Sequence, residues 1–166
     1  YSITEGYTPL RDFLKGWMTE KGCFHKEFDD LIITSGGQQA NELSCKVLLN
    51  EGDTLLVENP SFIGSLNAFR SYNVNLKGID MEDDGIDLNK LENALKTEPN
   101  VKLLYVIPNF QNPTGRTMSL EKRKAVYELA KKYDFIILED DPYGELRFAG
   151  ENIPTIKSMD TEGRVI

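Results

Sequence analysis

Hydrophobic and polar positions follow two alternating patterns along this chain. Short, continuous apolar runs are typical of strands buried on both faces of a parallel sheet. Between these runs, apolar residues recur at spacings of three and four, which predicts helices. The predicted strands are 31–34, 54–58, 74–79, 102–107 and 135–139, and 164–166 resembles the start of a sixth. Alternating strands and helices predict an α/β fold: three layers, α/β/α, around a mainly parallel sheet.

Local signals mark the ends of several predicted helices. Thr8 and Pro9 predict the N-cap and first residue of an N-terminal helix, and we expect its aromatic residues, Phe13 and Trp17, to contact the core. Asp87 and Ser119 are the predicted N-caps of two later helices. The helix after 35–37 is predicted to carry Ala40, Leu43, Val47 and Leu48 on one face. The acidic run 82–85 predicts a solvated turn.

Composition narrows the class of protein. The chain has 166 residues, which suits one domain, and its 19 basic and 27 acidic residues give a formal net charge of −8. That balance argues against nucleic-acid binding, which needs a basic face. Two cysteines and one histidine disfavour a zinc site or a disulfide framework, and neither a signal peptide nor a membrane-spanning run is visible. We therefore expect a cytoplasmic protein that contacts no membrane.

Ligands of parallel sheets bind beyond the carboxyl ends of the strands, so the segments there are informative. After 31–34 come Gly36, Gly37 and Gln38 at a helix start. Glycines allow close backbone approach, and free N–H groups at a helix N-terminus can hold a phosphate. The same residues also suit an ordinary tight turn. They match neither the Walker loop nor the GxGxxG dinucleotide motif.

Two other strand ends carry residues that suit a flat ligand. After 54–58, Phe62 is placed to stack on a ring, or else to act as a core aromatic at a helix start. After 102–107, the loop 108–115 contains two prolines and a glycine, which restrict its shape. Asn112 in this loop can donate to a ligand oxygen, although asparagine is also a common turn residue.

The fifth strand ends in acidic residues. Asp140 follows the apolar run directly, and Tyr143 lies three residues further on. A carboxylate in this partly desolvated position needs a cation or hydrogen-bond donors. Capping of the next turn is one alternative, and a divalent metal site made by Glu139, Asp140 and Asp141, as in a hydrolase or phosphotransferase, is another. Taken in chain order, the groups at the four strand ends suit one ligand: a phosphorylated, cationic heteroaromatic ring. Such a ring can serve as an electron sink.

At this point the chain resembles a known family, the fold-type I pyridoxal-phosphate-dependent aminotransferases of class I/II. It is similar to the branch of 2-aminoadipate and kynurenine aminotransferases and of MocR-type regulators. The resemblance covers nearly the whole chain and rests on these stretches: YSITEGYTPLR, ITSGGQQA, VENPSF, PNFQNPTGRTMS and ILEDDPYGELRF. It implies pyridoxal 5′-phosphate as cofactor, an amino acid and a 2-oxo acid as substrates, and a homodimer.

The resemblance also implies individual roles. Gly36, Gly37 and Gln38 would hold the phosphate, and Phe62 would stack on the ring. Asn112 and Tyr143 would bind the phenolic oxygen, and Asp140 would pair with the ring nitrogen. Tyr1 would reach the phosphate of the neighbouring subunit. Gly6 would line the substrate pocket, and Asn112 would also help hold the substrate carboxylate.

The family's Schiff-base lysine segment has no match within residues 1–166, and the resemblance implies that this lysine would lie beyond Ile166. Lys157 comes nearest in sequence but lacks the motif. The resemblance therefore implies that 1–166 is part of the cofactor-binding large domain, without the small domain or the catalytic lysine, and inactive by itself. It also implies that 31–34 loses both lateral neighbours, or has only one of them replaced, and does not pair with 102–107. A lyase of the same fold and the effector domain of a MocR-type regulator remain alternatives.

Overall fold

A five-stranded sheet forms the centre of the computed structural model, which describes residues 3–166. The strands are β1 (Thr54–Asn59), β2 (Asn75–Glu82), β3 (Gly85–Ile86), β4 (Val101–Val106) and β5 (Ile136–Glu139). The helices are α1 (Thr8–Glu20), α2 (Gly37–Leu48), α3 (Ile63–Arg70), α4 (Leu88–Thr97) and α5 (Leu120–Tyr133). Two short 3₁₀ helices cover Gly144–Leu146 and Lys157–Met159.

The strand order is β3-β2-β1-β4-β5, and the sheet is mainly parallel as predicted. β1 pairs in parallel with β2 and β4, and β4 pairs in parallel with β5. The short β3 is antiparallel to β2, which makes the acidic run 82–85 the turn of a hairpin.

The predicted sixth strand at 164–166 is present only as a single bridge. Val165 forms this parallel bridge to Ile137 of β5. Ile166 donates its amide to Ile137 O at 2.9 Å and accepts from the Glu139 amide at 2.8 Å. The segment therefore follows the free edge of β5 as a strand would, but the ladder is too short to count as one. The Ile166 side chain is 53% exposed.

Alternation along the two central strands produces the predicted three layers. Leu55 and Val57 on β1 belong to a buried cluster that also contains Cys45 of α2 and Phe69 of α3. Leu56 faces the opposite layer, where a second cluster joins the sheet to α4 and α5. Successive side chains of a strand point to opposite faces, so a continuous apolar run is what a sheet covered on both sides requires.

The predicted strand at 31–34 is wrong: this segment is not a strand in the structure. Both sides of β4 are occupied by β1 and β5, so 31–34 does not pair with it. Ile33 donates its amide to Glu5 O at 2.9 Å, and the Ile32 side chain is 56% exposed. An apolar run becomes a strand only where a neighbouring strand satisfies its backbone groups, and here the ladder lies elsewhere.

The expectation that the aromatic residues of α1 contact the core is wrong, and α2 buries a polar residue. α1 has no buried residue, and Phe13 and Trp17 are 68% and 39% exposed. On α2 the buried residues are Asn41 and Cys45, whereas Val47 is 80% exposed. Helical spacing identifies an apolar stripe but not the partner that covers it.

The helix starts were predicted more accurately. The side chain of Asp87 accepts from the amides of Asn89 and Lys90, and Ser119 accepts from Lys122, so both predicted N-caps are confirmed. At α1 the boundary shifts by one: Tyr7 is the cap and Thr8 is already helical. Within residues 3–166, none of the helices combines the length and the apolar character needed to cross a membrane.

Candidate functional site

Asp140, directly after β5, is held by donors from two layers of the fold. Its Oδ2 lies 2.7 Å from the Tyr105 hydroxyl and 2.9 Å from Asn41 Nδ2. Both donors also contact Ser65 Oγ of α3, at 3.1 and 3.0 Å. Tyr105 and Ser65 are fully buried, and Asn41 is 4% exposed. Hydrogen bonds from the described residues reach only Oδ2, so Oδ1 remains available to a ligand.

The N-terminus of α2 lies at the same side of the sheet, because Asn41 in its first turns reaches Asp140. Gly36 precedes the helix with φ +80° and ψ 165°, a conformation that glycine adopts most easily. Gln39 donates to Gly36 O at 3.2 Å, which leaves the Gly37 and Gln38 amides ahead of the first intrahelical bond. Among residues 3–166, apart from the adjacent residues and the helix's own backbone, no heavy atom lies within 4 Å of a Cβ built on Gly36 or Gly37. The backbone here is open to a ligand.

Phe62 and Gln38 meet above the start of α3. Gln38 Nε2 donates to Gly64 O at 3.0 Å. A Cβ built on Gly64 would lie 2.6 Å from Phe62 Cζ and 3.1 Å from Gln38 Oε1. Only glycine at position 64 allows the Phe62 ring and the Gln38 amide to lie this close to the helix backbone. The structure thus brings the predicted phosphate segment and the predicted stacking aromatic together.

The loop after β4 is organised by Gln111, which is 2% exposed. Gln111 Nε2 donates to Pro60 O at 2.8 Å, and Gln111 Oε1 accepts from the amide and hydroxyl of Thr114 at 3.0 and 2.7 Å. These contacts tie the Asn112 loop to the segment that follows β1. Asn112 itself is partly exposed.

Glu58, at the end of β1, is 1% exposed and supports the same loop. Its Oε2 accepts from the Ile107 amide at 3.1 Å and from Gln111 Nε2 at 3.2 Å. Its buried Oε1 has no hydrogen-bond partner among residues 3–166. Removal from water raises the pKa of this carboxyl to about 7 against these two donors, which lower it.

A buried arginine of α5 binds the first residues of the loop that follows β4. Arg123 is fully buried, and burial lowers its pKa. Its guanidinium donates to Asn109 Oδ1 at 2.7 Å and to Pro108 O at 3.1 Å. Asn109 Nδ2 in turn donates to Asp141 Oδ1 at 2.9 Å. Asp141 is therefore turned away from Asp140, toward the loop.

Tyr143 packs against the buried cluster beneath α2 and α3. It also lines an open apolar recess with Phe110, Leu146 and Phe148. Tyr143 and the Asn112 loop thus border the same surface, since Phe110 belongs to that loop.

Gly6 lies against Ile33, since a Cβ at position 6 would come within 2.7 Å of that side chain. Tyr1 lies outside the described residues. Among the other predicted cofactor positions, Gln38 and Phe62 lie together at Gly64, and Asp140 is linked through Asn41 to α2, the helix that begins at Gly37. Tyr143 lies beside Phe110, in the loop that contains Asn112.

The three acidic side chains at the end of β5 do not converge on one point. Glu139 accepts from the amides of Ile156 and Lys157, both at 2.8 Å, while Asp140 and Asp141 are held as described above. The three carboxylates thus point to different partners, and no cluster of three metal-ligating side chains occurs within residues 3–166. Burial raises the pKa of Glu139 to about 7.

The ammonium group of Lys157 is held by acceptors of the protein itself. Its Nζ donates to Asp29 Oδ1 at 2.7 Å, to Asp160 Oδ2 at 3.1 Å and to Val165 O at 2.9 Å. Three acceptors use all three protons of the ammonium group. The expectation that the Schiff-base lysine lies beyond Ile166 is not tested by residues 3–166 and stays a prediction.

Sequence reasoning missed several residues that hold the site. Arg123 lies three positions before Val126 and so shares the inward face of α5. This spacing could have predicted that Arg123 is buried. Tyr105 interrupts an apolar strand with a hydroxyl that must find a partner when buried. Asn41 carried no comparable signal, because helix surfaces often bear asparagine.

Comparisons with known proteins agree with this geometry. The family model described as "Aminotransferase class I and II" matches residues 1–165. The aromatic-amino-acid aminotransferase 1 of Thermococcus litoralis is 45% identical over 170 residues, covering all of this chain and 41% of that protein. The structure of Pyrococcus horikoshii kynurenine aminotransferase, in complex with PMP, superposes with a TM-score of 0.94 at 44% identity, covering 99% of this chain and 42% of that one.

A relative of another kind also matches. An uncharacterised HTH-type transcriptional regulator of Bacillus subtilis, YisV, is 35% identical over 166 residues, covering all of this chain and 34% of that protein. The chain spans about two fifths of the curated aminotransferases it matches.

The fold is that of an α/β domain of the pyridoxal-phosphate-transferase type. The chain belongs to the class I and II aminotransferase family.

Proposed function

We propose that residues 1–166 form part of the cofactor-binding domain of a pyridoxal-phosphate-dependent aminotransferase, which transfers an amino group from an amino acid to a 2-oxo acid. The observation that carries the proposal is the Asp140 carboxylate. Two buried donors hold one oxygen at the carboxyl edge of the sheet, and the other oxygen remains available.

The residues present suit this cofactor chemically. The open amides of Gly37 and Gln38 at the start of α2 match a phosphate dianion, which a helix N-terminus stabilises without a basic side chain. The Phe62 ring offers an aromatic face. A carboxylate at Asp140 matches a protonated ring nitrogen. The net charge of −8 is compatible with an anionic cofactor because backbone amides would bind the phosphate.

When bound, the cofactor supplies an electron sink for the carbanion that forms at the amino acid Cα. The role of this chain is to hold and orient it. Asp140 keeps a proton on the ring nitrogen, and Tyr105 and Asn41 fix the carboxylate that does so. Asn112 and Tyr143 donate to the phenolic oxygen. Asn112 also contributes to holding the substrate carboxylate, and Gly6 would line the substrate pocket.

The test is binding of pyridoxamine 5′-phosphate (PMP), which needs no lysine to be retained. We expect Asp140→Asn to weaken PMP binding at least tenfold, because a charge-assisted bond to the ring nitrogen becomes a neutral one. Asp141→Asn is the matched control: that carboxylate faces Asn109, so the affinity should stay within about twofold of wild type. Titration calorimetry measures both.

Equal losses for the two variants, or no PMP binding by the wild-type chain, would contradict the proposal. A cofactor that binds without any effect of Asp140→Asn would contradict the assigned role of Asp140 alone.

Relatives named for aromatic amino acids and for kynurenine support a proposal about the substrate class. We propose a substrate of this kind for the whole protein, acting as a homodimer in which Tyr1 contacts the neighbouring subunit's cofactor. The similarity to YisV supports a second candidate, the effector domain of a regulator. Amino-group transfer by the whole protein would support the enzyme, and DNA binding controlled by the ligand would support the regulator.

A further inference from the structure

Glu58 is a buried acid that the proposed cofactor site does not itself use. It lies at the carboxyl end of β1 and is 1% exposed. One oxygen accepts both of its hydrogen bonds, from the Ile107 amide of the chain leaving β4 and from Gln111 Nε2. Burying a carboxyl group this completely costs folding free energy, which hydrogen bonds offset only in part. The two donors that Glu58 binds suggest a role for it.

Gln111 connects Glu58 to the rest of the loop. Its side-chain nitrogen bridges Glu58 Oε2 and Pro60 O, and its side-chain oxygen accepts twice from Thr114. Its backbone amide donates to Arg116 O at 2.7 Å. Every polar group of the Gln111 side chain is thus engaged, on both sides of the loop.

Asn112 is the next residue, and its position depends on these contacts. The loop from 107 to 116 contains no strand or helix, so the backbone dihedrals of Asn112 are restrained by neighbours rather than by a ladder. The contact between Gln111 and Pro60 also links this loop to the segment leading to Phe62. A shift of Gln111 would therefore move the proposed donor relative to the proposed stacking ring.

We infer that Glu58 and Gln111 are a positioning pair that sets Asn112 to donate to the oxygen on ring carbon 3 of the cofactor. The inference rests on the proposed function, since it assumes a phosphopyridine ligand at this site. Neither residue touches the ligand. Glu58 supplies an acceptor to Gln111, and Gln111 carries the restraint to Asn112.

The test compares two ligands, PMP and its 3-deoxy analogue, which lacks only the oxygen that Asn112 would bind. The comparison is made in a Tyr143→Phe background, where Asn112 is the remaining proposed donor to this oxygen. That parent chain should bind PMP about tenfold more tightly than the analogue, as expected for one hydrogen bond of typical strength. Asn112→Ala should abolish this preference. Glu58→Leu and Gln111→Met should reduce the ratio of the two affinities to about two or less, while the affinity for the 3-deoxy analogue changes little. Glu58→Gln keeps an acceptor oxygen and should restore the preference.

A matched control separates positioning from general loss of structure. Tyr127 is a buried residue on the opposite layer, and its hydroxyl contacts Asp160 Oδ1 at 3.2 Å. Tyr127→Phe should lower the stability but leave the preference for PMP intact. A merely structural role of Glu58 would weaken both ligands equally, as general destabilisation does.

The outcomes are distinct. A preference that survives in Glu58→Leu, or in Gln111→Met if Glu58→Leu does not fold, overturns the inference and leaves the proposed function standing. Equal binding of the two ligands by the Tyr143→Phe parent chain overturns it as well. Failure of the wild-type chain to bind either ligand contradicts the proposed function, and the inference falls with it.

Discussion

The hydroxyl of Tyr105 lies 2.7 Å from Oδ2 of Asp140, which joins a fully buried residue of β4 to the partly exposed end of β5. A carboxylate can only accept, so the tyrosine proton is committed to it, and burial beside this charge raises the pKa of Tyr105. Ser65 and Asn41 complete the arrangement from the helices above. The carboxylate therefore has a single orientation before any ligand arrives.

Tyr105→Phe removes the hydroxyl that donates to Asp140 and leaves the buried ring in place. We expect the free energy of unfolding to fall by about 2 kcal/mol, the typical worth of a hydrogen bond to a charged group. PMP affinity should fall several-fold, but less than in Asp140→Asn, because the charge remains. Urea unfolding and calorimetry measure the two effects. Tyr133→Phe is the control, since that hydroxyl contacts Glu92 near the surface. Equal effects of the two substitutions would contradict the assignment.

The start of α2 offers two glycine positions that differ in one property. Gly36→Ala should cost about 1–3 kcal/mol of stability, because its positive φ is unfavourable for alanine. Gly37 has no such φ, so Gly37→Ala should fold with near wild-type stability while its methyl group occupies the open space beside the amides. We therefore expect Gly37→Ala to weaken PMP more than unphosphorylated pyridoxamine. A loss shared equally by both ligands would argue against phosphate at this position.

Glu58 makes stability depend on pH. Its pKa is about 7 in the folded chain and about 4.5 when unfolded, so the folded state binds more protons between these values. Stability should consequently fall as pH rises from about 4.5 to 7, by roughly 3 kcal/mol from this group. Glu58→Gln should reduce the slope across that window to the part that Glu139 contributes, since the pKa of Glu139 is also raised to about 7; urea unfolding at several pH values measures this. Glu121→Gln, at an exposed site, should leave the slope unchanged, and a slope in Glu58→Gln equal to that of wild type would refute the prediction.

Lys157 should matter for stability and not for the cofactor. Its ammonium group neutralises Asp29 and the fully buried Asp160. Lys157→Met leaves that charge unpaired, and we expect a loss of about 3 kcal/mol, as for other broken buried pairs. PMP affinity should remain unchanged at temperatures where the variant is folded. Reduced affinity without reduced stability would instead assign Lys157 to the site.

Much of the fold follows from local patterns. β1 and β4 have neighbours on both sides and helices on both faces, so their apolar runs match their burial closely. The segment 31–34 has the same pattern but no strand beside it, and α1 has an apolar stripe with no buried residue. Apolar spacing shows which face of a segment can be buried. Whether that face is buried depends on a second segment, which lies far away in the sequence.

In the candidate site too, some features follow from local sequence and others from the fold. The residues alone indicate which kinds of group stand at the strand ends: glycines before a helix, an aromatic, an amide loop and a carboxylate. They also contain the motifs of the class I and II family. Three sets of contacts became apparent only from the three-dimensional fold: Tyr105 and Asn41 bind Asp140, Arg123 binds the start of the loop, and Glu58 accepts from Gln111. These partners are separated by 14 to 99 positions, and their pairing depends on sheet order and helix placement, which no short stretch of sequence encodes.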